Sequence, residues 1–301
     1  MKENKHKGLP DLPKGKASKN VIEGCAVLEG GAFRGVYSQG ALDALMENDI
    51  NMQCVIGVSA GALNGMNYVS GDIGRSIRMI LNYRHDPRYV GLLPYFTDSG
   101  VIGFDFMFYN VPRSLKFSYD RFFNPDKRYA CVTTNCLTGE PAIFERGKCD
   151  DIFDAIQASA SMPYFSKPVM VEGEPHLDGG CSLSDPWQWA KDQGYDKVLL
   201  IRNRPVGYRK VSKSDKLSSI YAKKYPKLAE VLSHKSEMYN HECEMCELAH
   251  EKGDVFMLCP GTSESVSRLE KDLERLELFY WLGYYETIEK LPQIETYLGI
   301  E

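Results

Sequence analysis

The residues able to do covalent chemistry gather in three short stretches. Val55-Ile56-Gly57-Val58-Ser59-Ala60-Gly61-Ala62-Leu63 is an apolar β-type run that breaks on Gly57, presents Ser59 and becomes helix-compatible after Gly61. A serine in a tight strand-to-helix turn stands exposed above a sheet, and flanking glycines relieve the crowding, so the stretch reads as a nucleophile elbow. Glu29-Gly30-Gly31-Ala32-Phe33-Arg34-Gly35 is a second glycine-rich turn between strand and helix. N–H groups converging at such a turn suit a phosphate or a developing oxyanion. The glycine spacing is not that of a dinucleotide site and the Lys-Ser/Thr pair of a phosphate loop is missing, so an oxyanion hole fits better. The third stretch is His176-Leu177-Asp178-Gly179-Gly180, where an acid before two glycines is, taken alone, an ordinary turn. Serine needs a base to take its proton, and Asp178 can do that directly. His176, two residues earlier and on the same side of an extended strand, is the alternative base.

These stretches need elements to position them. Val21 to Leu28 reads as a buried strand before the glycine turn and an amphipathic helix carrying Val36, Leu42, Leu45 and Met46. Gln53 to Ile56 leads through Ser59 into a helix over residues 60–68. Two successive strand–turn–helix units imply parallel strands with both turns at one sheet edge, which makes the glycine loop and Ser59 neighbours. Tyr129 to Thr134 and Pro141 to Glu145 alternate as a hairpin around Leu137-Thr138-Gly139-Glu140, an antiparallel addition to the sheet. Further helices are expected over 151–160, 186–192 and 267–291, and further strands at 169–171, 197–201 and 255–258. The aromatic-rich stretch 84–126 either lines an acyl-binding pocket or lid, or packs short helices against the sheet.

Composition narrows the classes. A chain of 301 residues with net charge −5 and no finger, recognition helix or aromatic platform is not expected to bind nucleic acid. The nine cysteines are odd in number and scattered through apolar runs, which suggests reduced thiols in a cytoplasmic protein. Residues 1–20 hold six lysines broken by Pro and Gly and read as a mobile basic tail ahead of a domain over 21–301. The basic segment 202–227 is expected as a solvated face, with peripheral contact to an anionic membrane surface as the functional alternative. His241, Cys243, Cys246 and His250 resemble a zinc cluster, but the helical rise between Cys243 and His250 is about 10 Å, too long for one ion, so neither metal nor other cofactor is expected.

Together the motifs carry a family resemblance. Leu28-Glu29-Gly30-Gly31-Ala32-Phe33-Arg34-Gly35, Gly57-Val58-Ser59-Ala60-Gly61 and Asp178-Gly179-Gly180 occur in the order and approximate spacing of patatin-like phospholipases, and the chain resembles a bacterial cytosolic member. Similarity extends through Val132-Thr133-Thr134-Asn135, Ala158-Ser159-Ala160-Ser161-Met162-Pro163 and Leu200-Ile201-Arg202, covering about residues 21–300. The resemblance implies a three-layer α/β/α fold with a mostly parallel central sheet. It also implies a Ser–Asp dyad that cleaves lipid carboxylic esters, in the manner of a phospholipase A or lysophospholipase, through an acyl-enzyme. Ser59 matches the nucleophile and Asp178 the base, with Gly57, Gly61, Gly179 and Gly180 as their motif glycines. Gly30, Gly31, Ala32 and Gly35 match the oxyanion loop, which includes Phe33, and Arg34 matches its basic position. Ala32 departs from relatives that carry a third glycine there; it keeps the N–H but narrows the backbone, a mild change. The alternative from another class is a catalytically weak acyl-lipid-binding or regulatory protein on the same fold.

Overall fold

Strands buried on both faces need apolar side chains at nearly every position, and the central segments of this chain supply them. In the computed structural model, which describes residues 6–98, 100–211 and 216–300, eight strands form one sheet. They are Ile22–Leu28 (β1), Met52–Val58 (β2), Arg128–Asn135 (β3), Pro141–Glu145 (β4), Val169–Val171 (β5), Glu174–Asp178 (β6), Val198–Ile201 (β7) and Phe256–Leu258 (β8). Their order is β8-β7-β1-β2-β3-β6-β5, with β4 also on β3. The run from β8 to β3 is parallel, and β4, β5 and β6 join antiparallel.

Side-chain alternation divides the core in two. Ala26, Leu28, Val55, Tyr129 and Cys131 face a layer that includes Val36–Glu47, Ala60–Ser70, Ile152–Ser159 and Leu273–Leu298. Cys25, Val27, Cys54, Ile56, Val58, Ala130 and Val132 face Trp187–Asp192 and Pro226–Glu251. The fold is the three-layer α/β/α arrangement with a mostly parallel sheet.

Two expectations shift. The C-terminal helix runs over Leu273–Leu298 rather than 267–291: Asp272 caps its start by accepting from the N–H groups of Glu274 and Arg275, and it continues through Pro292. Buried Ile294 and Leu298 hold the turns beyond the proline, which compensates for the hydrogen bond that proline removes. Residues 6–20, expected to be mobile, are packed. Gly15–Lys16 pairs with Asp72–Ile73, Leu12 and Ala17 are buried, and Arg78 and Arg121 donate to the carbonyls of Leu12 and Ala17. The apolar residues between the lysines, and arginines that take up main-chain carbonyls, override the charge pattern. Residues 1–5 of the expected tail lie outside the described residues.

The register around β3 decides where the site forms. β2 and β4 both pair with Ala130 to Val132, so they occupy opposite edges of β3; β4 and β6 both pair with Thr133 and Thr134, so they too are opposite. Hence β2 and β6 share one edge and meet end to end. Val58 sits opposite Val132 and Asp178 opposite Thr133, the next residue along. The residue after Val58 is Ser59.

Candidate active site

Ser59 and Asp178, 119 positions apart, are joined by a 2.7 Å hydrogen bond from Ser59 Oγ to Asp178 Oδ2. Both are buried apart from a small exposed fraction. Ser59 is a non-glycine residue at φ 55°, ψ −121°, a conformation that costs on the order of 1–3 kcal/mol and persists only where surroundings enforce it. Here the surroundings are steric. A Cβ on Gly57 would lie 2.4 Å from the Gly61 carbonyl carbon, and one on Gly61 2.2 Å from Leu28 O, so the elbow closes only with glycine at both places. Asp178 is held by its other oxygen, which accepts from Gly180 N–H at 2.9 Å, and a Cβ on Gly179 would lie 2.2 Å from Val132 O.

The helix Ile152–Ser159 and the turn after it brace both residues. Ser159 Oγ accepts the Ser59 N–H at 2.9 Å, and Ser161 O accepts the Asp178 N–H at 2.9 Å. Thr134 Oγ1 donates to Asp178 O. In sequence these segments carry only the family resemblance, with no task evident for their hydroxyls. Hydroxyls at the end of a helix that follows a hairpin were the available signal. His176 points elsewhere: its Nδ1 pairs with Thr133 Oγ1 at 2.8 Å, its ring meets the Phe144 ring edge-on, and burial lowers its pKa. Ser59 Oγ bonds Asp178, not His176.

The six residues expected in the oxyanion loop divide by what their N–H groups do. Phe33 N–H is taken by Arg268 O and Arg34 N–H by Gly31 O. Gly31 and Ala32 N–H groups have no acceptor among the described residues. Gly30 abuts the serine, since a Cβ there would lie 3.0 Å from Ser59 Cβ. Gly35 O accepts from Asn64 Nδ2, whose own oxygen accepts from Gln39, and this pins the far end of the loop. Ala32 sits at φ 52°, in the left-handed region. That region disfavours a Cβ by about 1–2 kcal/mol, which is the physical content of its departure from glycine. Behind the loop, Glu29 accepts from Asn203 N–H and Tyr239 OH, and lies 3.7 Å from the buried guanidinium of Arg202. In sequence Arg202 opens the basic segment 202–227 and ends the stretch Leu200-Ile201-Arg202, and neither reading gives it this buried role.

Ser59, Ala32 and Met162 line two cavities at once. One, about 70 Å³, is a narrow channel walled by Leu63, Met79, Ile80, Tyr89, Phe104 and Met107. The other, about 350 Å³, is walled by Arg34, Arg204, Lys210, Lys235 and Arg268 among others. The aromatic stretch therefore splits: Tyr89 and Phe104 line the channel, whereas Phe117, Phe122 and Phe123 pack among themselves and with Phe153. The basic segment is likewise not one solvated face. Arg202 is buried, Arg204 and Lys210 line the cavity, and Arg209 pairs with Glu247. Residues 212–215 of that segment lie outside the described residues.

Residues 26–129, which hold the glycine loop and Ser59, match the family model of patatin-like phospholipases. Over that stretch the chain is similar to patatin-like phospholipases. Residues 225–299 match a second model, a domain of unknown function designated DUF6363. The uncharacterized protein YjjU of Escherichia coli (strain K12) is 27% identical over 184 residues, 60% of this chain. The chain spans about half the length of that curated relative, 51%. The crystal structure of VipD from Legionella pneumophila aligns at a TM-score of 0.45 with 15% identity, over 94% of this chain and 70% of that one. The patatin-like match ends before Asp178, so the partner of Ser59 is supplied by chain beyond it.

Proposed function

We propose that this protein is a serine acyl hydrolase that cleaves carboxylic esters of lipids, in the manner of a phospholipase A or lysophospholipase, with Ser59 as nucleophile and Asp178 as base. The observation that carries the reading is the 2.7 Å Ser59–Asp178 hydrogen bond at the junction of the two cavities. Asp178 takes the hydroxyl proton as Oγ bonds to the ester carbonyl carbon. The resulting oxyanion lies beside the unoccupied N–H groups of Gly31 and Ala32; each such donor is worth roughly 2.7–4 kcal/mol in a related role. Collapse breaks the ester C–O bond, and Asp178 returns its proton to the leaving alcohol. Water then attacks the acyl-enzyme and gives a proton to Asp178, and that proton restores the Ser59 hydroxyl as the fatty acid leaves.

A peripheral approach to a lipid surface belongs to the same reading. The helix Leu92–Thr97 exposes Leu92 at 77% and Phe96 at 81%. The chain after it returns to the cavity rim, where Val101 N–H bonds Phe165 O. Among the described residues no helix is long and apolar enough to cross a membrane. All nine cysteines are free, which supports a reducing, cytoplasmic setting.

Incubation with a fluorophosphonate, followed by peptide mass spectrometry, tests the hydrolase directly. The expected result is an adduct on Ser59 in the wild type and none in Ser59→Ala. A folded wild type that stays unlabelled overturns the reading.

A further inference from the structure

Gly31 and Ala32 N–H, which have no acceptor among the described residues, are aimed by different means. Ala32 N–H belongs to the peptide whose carbonyl, Gly31 O, accepts Arg34 N–H at 3.2 Å, so a local turn fixes it. Gly31 N–H belongs to the peptide between two glycines. With no Cβ on either side, the plane of that peptide rotates at little steric cost, and its direction has to be set from outside. The outside group is Asn203, whose Nδ2 donates to Gly30 O at 3.2 Å and to Glu29 O at 3.0 Å. A trans peptide points its N–H opposite to its C=O, and no peptide is cis among the described residues. Holding Gly30 O against Asn203 therefore turns Gly31 N–H the other way. That way lies the nucleophile, because the loop runs between the two residues: a Cβ on Gly31 would meet Asn203 Cβ and Nδ2 at 3.6 Å, and one on Gly30 would meet Ser59 Cβ at 3.0 Å.

Asn203 is held as firmly as the peptide it holds. It is 1% exposed and stands two residues beyond β7, whose Ile201 pairs with Leu28 and accepts Glu29 N–H. Its main-chain N–H goes to the Glu29 carboxylate, which also accepts Tyr239 OH at 2.7 Å. Its Oδ1 accepts from Ser38 Oγ at 2.7 Å. Turning the amide over would set Oδ1 against two carbonyl oxygens, so only one orientation of the side chain pairs donors with acceptors. We propose that Asn203 is a positioning residue for the reaction: it fixes the Gly30–Gly31 peptide so that Gly31 N–H meets the developing oxyanion. This rests on the hydrolase reading above and adds the residue that sets its oxyanion hole, 173 positions from the carbonyl it holds. Without Asn203 the peptide can rotate and bring Gly30 O toward the oxyanion, which replaces an attractive dipole with a repulsive one. Tyr239, within the segment of unknown function over residues 225–299, reaches the same loop through Glu29.

Asn203→Ala is expected to lower kcat for ester hydrolysis by about 100-fold, the scale of losing one oxyanion donor. KM should stay within about twofold, because ground-state binding does not use the oxyanion. An alkyl trifluoromethyl ketone reads the hole itself: Ser59 Oγ bonds to its carbonyl carbon, Asp178 takes the hydroxyl proton, and the former carbonyl oxygen carries the negative charge. Its inhibition constant should rise by about the same 100-fold in Asn203→Ala, while that of the corresponding secondary alcohol, which cannot add the serine, should change by less than about twofold. A merely structural role would weaken both. Unchanged kcat in folded Asn203→Ala, or equal weakening of ketone and alcohol, overturns the proposal. Should Asn203→Ala fail to fold by circular dichroism, Ser38→Ala keeps the amide donors but releases the amide to turn. It should weaken the ketone over the alcohol by about fivefold, and no selective weakening overturns the proposal. The wild type separates this role from the reaction. Turnover and a Ser59 adduct in the wild type, with full activity in Asn203→Ala, overturn the positioning role alone; a folded wild type with neither overturns the hydrolase and the positioning role with it.

Discussion

On one side of Ser59 the walls are Leu63, Met79, Ile80, Tyr89 and Phe104; on the other they are Arg204, Lys210, Lys235, Tyr239 and Arg268. The first group lies inside the segment that matches the patatin-like model, and the second lies beyond it, although Arg34, which also lines the basic cavity, belongs to the matched segment. The apolar wall is made of helices and loops packed on one face of the sheet, continuous with its main core. The basic wall is hung from a loop after β7, from the helix Pro226–Glu251 and from the approach to the C-terminal helix. The two cavities share three residues, Ser59, Ala32 and Met162. Changes on one wall should therefore leave the other wall in place.

The sharpest way to break this comparison is to remove what the two sides share. Ser59→Ala and Asp178→Asn are each expected to lower ester hydrolysis by about 10⁴-fold for every substrate, whatever its chain or head group. Circular dichroism would confirm folding, and an equal loss in folded His176→Ala would instead reject the dyad. A smaller effect is expected from the channel alone. Met79→Trp fills space in a cavity of about 70 Å³; at about 0.8 kcal/mol per buried methylene, excluding two methylenes should lower the kcat/KM ratio of dodecanoyl over butanoyl esters by roughly tenfold. The ratio between charged and neutral head groups of one chain length should not follow it.

Two substitutions sharpen the picture near the shared residues. Ser159→Ala removes the acceptor of the Ser59 N–H and should lower stability by about 1–3 kcal/mol, read as a shifted urea midpoint. It should slow long-chain and charged substrates alike, since the elbow serves both sides. Ala32→Gly relieves a left-handed alanine, but glycine adds freedom to the unfolded chain, so the net gain should be only a few tenths of a kcal/mol. A loss of stability would mean that the loop uses the alanine methyl for packing.

The same division explains what could be read in the sequence. Ser59 and its glycines were legible because a Cβ on Gly61 would lie 2.2 Å from Leu28 O and one on Gly57 2.4 Å from the Gly61 carbonyl carbon, so the glycine pattern is forced on the sequence. Asp178 became legible only through family resemblance, since an acid before two glycines is a common turn and the register that brings it beside Thr133 is a property of three strands at once. The basic wall was illegible for a different reason. Charge along a chain says nothing about direction, and Arg202, Arg204 and Arg209, spaced within eight residues, end respectively in a buried cluster, a cavity and an ion pair with Glu247. The packed segment 6–20 failed likewise, because its few apolar side chains are overshadowed by lysines in any count. Pro292 hid the last turns of the final helix, which depend on Ile294 and Leu298 finding the core.

The end-to-end meeting of β2 and β6 on one edge of β3 has a consequence for how such a chain can change over generations. The distance between Ser59 and Asp178 is fixed by one step along β3, from Val132 to Thr133, and not by the length of chain between them. Insertions and deletions in the connecting loops leave the pair in place, whereas a single residue added within β3 between those two positions would turn one partner to the opposite face. Tolerance to length change should therefore be high in the connecting loops and low at the elbow, over Ser159–Ser161 and across that step of β3.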